Sequence, residues 1–126
     1  MKALLHSLAV LSLGLGLICF PAGCGRGKAP KEIPTAEIPG EAGALFAKAP
    51  APVKELAAQA TAALAAKDWS GAWVAFQALG ERKDLTDEQR QFVASAIVSI
   101  GAELNKAGEQ GDARAEAVQQ MHRLSK

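Results

Sequence analysis

Apolar and polar positions follow three different patterns along this chain. From Ala3 to Gly25 no Asp, Glu, Lys or Arg occurs, and ALLHSLAVLSLGLGLICF forms one apolar body behind Met1 and Lys2. Between Gly25 and Pro52 the apolar residues are isolated, and Pro30, Pro34, Pro39, Pro50 and Pro52 break every period. From Val53 onward apolar side chains recur at intervals of three and four, the spacing that gives a helix one greasy face.

The last part predicts four helices. VKELAAQATAALAAKDW places Leu56, Ala60, Ala63 and Leu64 on one face. After a break at Asp68, WSGAWVAFQALG carries Trp69, Ala72, Trp73, Phe76 and Leu79 as a stripe, and Gly80 is expected to cap its end. Thr86-Asp87-Glu88-Gln89 reads as a capping box, with two acids placed where the helix dipole favours anions. The helix it opens is expected to reach about Ala107 on a stripe of Phe92, Ala96, Ile100 and Leu104. Asp112 then caps a final helix over 113–124, whose face offers only Ala117, Val118, Met121 and Leu124. Short breaks pair such helices as antiparallel neighbours, so the fold class is all-α, a small bundle or a pair of helical hairpins.

The first part has the form of an export signal: a positive start, an apolar body, then Pro21-Ala22-Gly23 as a helix break with small residues before a cleavage point. The expected division is a signal peptide over 1–23, a flexible linker over 24–52 and a helical domain over 53–126. The charge-free run is also long enough for a retained membrane anchor, which needs about 20 residues. Prolines remove backbone donors and hold their predecessors extended, which is why 24–52 reads as a spacer. A helical piece near 41–48 carries Leu45 and Phe46, either as a docking contact or packed on the edge of the domain.

Pro21-Ala22-Gly23-Cys24 resembles a bacterial lipobox, where small residues precede a cysteine that is lipidated and becomes the mature N-terminus. The resemblance implies cleavage between Gly23 and Cys24, acylation of Cys24, and membrane lipid as the partner of that residue. The cell envelope, facing the periplasm or the exterior, is then the expected location. Cysteine counting points the same way: cleavage removes Cys19 and leaves one thiol with no internal partner. A second resemblance lies in Asp68-Trp69-x-x-Ala72-x-x-x-Phe76, which looks like the middle of a tetratricopeptide repeat, with Leu56 and Ala60 in the packing positions of the helix before it. That family implies peptide or protein binding, here by an envelope protein. Trp69, Trp73 and Phe76 are then either a binding wall or the main mass of a core that has few large side chains.

Composition narrows the chemistry. Fourteen Lys and Arg against thirteen Asp and Glu, scattered among one another, give no basic field for nucleic acid. Once 1–23 is removed, His122 is the sole histidine and has no cysteine or acid at metal-ligand spacing, so it reads as a surface residue and no metal or cofactor is expected. GRGK at 25–28 follows no strand and lacks the rest of a phosphate loop. No catalytic residue is nominated. The expectation is a non-enzymatic accessory protein acting by contact; the alternative is a small enzyme using surface carboxylates such as Glu88 or Glu103, which needs two acids facing each other.

Overall fold

The computed structural model describes residues 28–126, so the signal segment and Cys24 lie outside the described residues. Five helices follow one another: α1 (Ile38–Leu45), α2 (Ala51–Ala65), α3 (Trp69–Gly80), α4 (Asp87–Glu109) and α5 (Ala113–Leu124), with no strand among the described residues. Helix α3 is central, packed between α2 and α4; α1 lies on α2 and α4, and α5 lies on α4 and α3.

The two hairpin turns share one geometry. At the first, Lys67 (φ 55°) passes through the left-handed region, Lys67 N donates to Leu64 O, and Asp68 N donates to Ala63 O. At the second, Gly111 (φ 88°) does the same: Gly111 N donates to Gly108 O and Asp112 N to Ala107 O. This pair of bonds is a Schellman ending, which satisfies carbonyls left free at a helix C-terminus. In each case the aspartate that follows caps the next helix at once. Asp68 Oδ1 accepts from Gly71 N at 3.0 Å, and Asp112 Oδ1 accepts from Arg114 N and Ala115 N at 2.9 and 3.2 Å.

The capping box forms as its sequence predicts, with Gln89 N to Thr86 Oγ1 at 3.1 Å and Thr86 N to Gln89 Oε1 at 3.0 Å. Gln89 also donates from Nε2 to Leu45 O at 3.0 Å, tying the end of α1 to the start of α4.

Part of the expected linker belongs to the core. Ile38, Ala42 and Phe46 are buried on one face of α1, and the Phe46 ring meets Phe92 edge-on at 6.2 Å. Phe92 in turn meets Phe76 at 6.5 Å, so three rings join α1, α3 and α4. Neither Pro39 nor Pro52 interrupts its helix: each lies in the first turn, where an amide hydrogen has no partner to lose. The helix expected at 41–48 therefore starts earlier, and the folded body begins well before Val53. Phe46 is closed off from solvent rather than offered for docking.

Gly80 is not the cap expected of it. It is the last residue of α3, Glu81 follows in right-handed geometry, and the backbone does not turn left-handed there. A Cβ at Gly80 would lie 3.4 Å from Val93 Cγ1, in ordinary contact with α4.

Candidate functional site

The three aromatic residues singled out by the stripe part company. Phe76 is wholly buried in the main core. Trp69 and Trp73 are half-buried and sit at a seam, touching both the main core and the smaller cluster of Leu104, Ala115 and Val118 that holds α5. They are core side chains of a particular kind, filling the join between the two hairpins. The Trp73 ring also carries the edge of His122, with ring centres 5.1 Å apart and planes at 80°. His122, expected on the open surface, is half-buried through this contact, because its place in α5 is one turn beyond Val118 on the inward face.

Beside this seam runs a groove of 590 Å³ between α2, α3 and α5. Small residues of α3 (Gly71, Ala75 and Ala78) make its floor; Leu56 and Gln59 of α2 stand on one side, Ala117 and Val118 of α5 on the other. Val74 projects into it and is 50% exposed, an uncommon position for a branched apolar side chain. Arg114 marks one end as the groove's only charged lining residue, with its guanidinium 3.9 Å from the Asp68 carboxylate and mostly in solvent. The helices line up this way because Asp68 and Asp112 start α3 and α5 side by side. Asp68 meets Arg114 near the start of both helices and Trp73 meets His122 further on, so the two run in the same direction.

The carboxylates of the enzyme alternative are not brought together. Glu88 is exposed in the first turn of α4, and Glu103 lies fifteen residues along the same helix, about 22 Å away at 1.5 Å per residue. Glu103 is engaged by Lys106 at 2.8 Å, a bond that raises the Lys106 pKa above its ordinary value. In the loop between α3 and α4, Arg82 pairs with Asp84 at 2.7 Å; this hydrogen-bonded guanidinium holds the Asp84 carboxyl below the usual range. Among the described residues, no three His, Cys, Asp or Glu side chains gather as a metal site, and no helix is long and apolar enough to cross a membrane.

The groove is not legible in the sequence, since it forms only when α5 comes to lie beside the α2–α3 hairpin. Its one signal in the sequence is Val74, an apolar residue standing outside the Trp69–Phe76 stripe. Comparison of the chain with family models, curated proteins and solved structures finds no match.

Proposed function

We propose that this chain is an exported, lipid-anchored helical protein of the bacterial cell envelope that works by contact with a protein partner. The observation that carries the reading is Pro21-Ala22-Gly23-Cys24 at the end of a charge-free apolar run, with no second cysteine left to pair with Cys24 after cleavage. Acylation gives that thiol a role, and stable attachment takes more than one acyl chain. The contact surface in this reading is the α2–α3–α5 groove. Support comes from its apolar lining, the exposed Val74 within it, and the paired aspartate turns that set α3 and α5 in parallel. The Asp68-Trp69 turn and the close packing at Ala60 and Ala72, both fully buried, support a degenerate relative of the tetratricopeptide repeat.

The deciding measurement is the intact mass of the protein isolated from its native membrane, beside a Cys24→Ala variant. A chain beginning at Cys24 with added acyl mass is expected, and the variant should leave the membrane fraction. A mass beginning at Met1 would instead mean a retained apolar anchor, and an unmodified soluble chain would remove the anchor altogether.

A further inference from the structure

Residues 28–36 precede α1 and include Pro30 and Pro34, a composition that by itself suggests a loose spacer. Within them, Lys31 and Ile33 are nevertheless seated on α4. Lys31 N donates to Ser95 Oγ at 3.3 Å, and Ile33 N donates to Ser99 Oγ at 2.7 Å. Ser99 Oγ passes its own hydrogen to Ser95 O at 3.1 Å, so this hydroxyl is used in both directions.

The match is one of repeats. Two residues of extended chain advance about 6.6 Å, and four residues of helix about 6.0 Å, so alternate amides of the segment meet serines one turn apart. Ser95 and Ser99 are 8% and 2% exposed on the buried side of α4, where an apolar pair would otherwise be expected. Ile33, whose amide is the second anchor, also packs its side chain against the main core. Glu37 N then bonds Pro34 O, the chain turns, and α1 runs back toward the Gln89 contact.

We infer that residues 28–36 are a mooring strap whose seat on Ser95 and Ser99 holds the body close to the bilayer; this rests on the lipid-anchor reading of Cys24. Lys31 is seven residues from Cys24, a leash that can span at most about 24 Å. A spacer running free from Cys24 to Pro52 would reach about 95 Å. The leash carries Arg26, Lys28 and Lys31 and no acid before Glu32, a sign of charge suited to anionic headgroups at that range. The body is therefore carried at the membrane surface, and its partner is one that is reachable there.

Two measurements on the full-length protein test this. In native membranes, hydrogen exchange should show the Lys31 and Ile33 amides protected about tenfold or more over a free chain. Ser95→Ala with Ser99→Ala should abolish that protection while the α4 amides beyond Ser99 stay protected, which shows that the fold survives. In vesicles of phosphatidylethanolamine and phosphatidylglycerol with a dansyl headgroup, energy transfer from Trp69 and Trp73 reports distance to the bilayer. Inserting about ten Gly and Ser residues after Gly27 lengthens a seated leash by about 34 Å, and transfer should fall about twofold or more. An unseated spacer is already long, so an unchanged signal overturns the strap. Unprotected amides in a membrane-bound chain overturn the strap and leave the anchor standing; protected amides in a soluble, unacylated chain overturn the anchor and the mooring with it.

Discussion

Replacing Lys67 by glycine removes a side chain from one of two equivalent backbone positions that turn through the left-handed region. Lys67 (φ 55°) holds the site in the first hairpin and Gly111 (φ 88°) holds it in the second. A residue with a Cβ is strained there by about 1–2 kcal/mol, because the Cβ crowds the following carbonyl. Glycine escapes that strain but loses about 0.5–1 kcal/mol through its freer unfolded chain. The difference leaves Lys67→Gly more stable by about 0.5–1 kcal/mol. No hydrogen bond or ion pair of the lysine side chain offsets this, since the residue is exposed and the turn is held by backbone bonds alone. Gly111→Ala should move the other way by a similar or larger amount, and the cause is purely the backbone: an added Cβ at Gly111 meets nothing within 4 Å. Urea unfolding followed by tryptophan fluorescence and by circular dichroism measures both, with the slope unchanged and only the midpoint displaced. At about 4–8 °C per kcal/mol for a domain of this size, Tm should rise by several degrees for Lys67→Gly and fall for Gly111→Ala. A Lys67→Gly protein no more stable than the parent would refute the equivalence of the two turns.

Gly80→Ala should also stabilise, by about 0.5–1 kcal/mol, because the position is helical and the new methyl would contact Val93 and Ile97; a drop in the urea midpoint would restore Gly80 as a required glycine. Phe46→Ala should cost about 3–5 kcal/mol, a core-sized loss, whereas a spacer residue would cost almost nothing in the same unfolding assay. Gly71→Ala should cost no more than about 1 kcal/mol, since its Cβ displaces the Asp68 carboxylate that caps α3 while the helix gains from alanine; combined with Asp68→Ala it should cost less than the sum of the two changes. Asp84 titrates below the usual carboxylate range, so whatever its pair with Arg82 contributes is present at neutral pH and lost as pH falls through that lowered value; because both side chains are exposed, Asp84→Asn should leave Tm at neutral pH unchanged within error.

Local signals carried most of the fold. The Thr86 box, the Asp68 and Asp112 starts and the three-four spacing of apolar residues each depend on a few neighbouring residues, and each element appears where they put it. The features that local signals do not carry depend on distant partners. The prolines of 24–52 obscure a helix face that Ile38, Ala42 and Phe46 mark by standing four apart. Ser95 and Ser99, polar residues at inward positions of a long amphipathic helix, were the sign that some backbone had to lie across them. Helix α3 does end at Gly80, but without the left-handed cap that glycine often supplies; that conformation is found at Lys67 and Gly111 instead. The groove and the Trp73–His122 contact arise from the side-by-side placement of α3 and α5, which no single stretch of sequence encodes.

The bond from Gln89 to Leu45 spans 44 residues, and the Phe46 ring likewise finds Phe92 only after a similarly long stretch of chain. As the chain is synthesised, or emerges from a translocation pore N-terminus first, α1 appears before the surface that receives it. The α2–α3 hairpin can close on nearby contacts and α1 can lie on α2, whereas the Gln89 bond and the Phe92 ring must wait until α4 has arrived. Phe46 lacks its Phe92 partner through that interval, so the face of α1 that meets α4 is closed only after the hairpin beside it has formed.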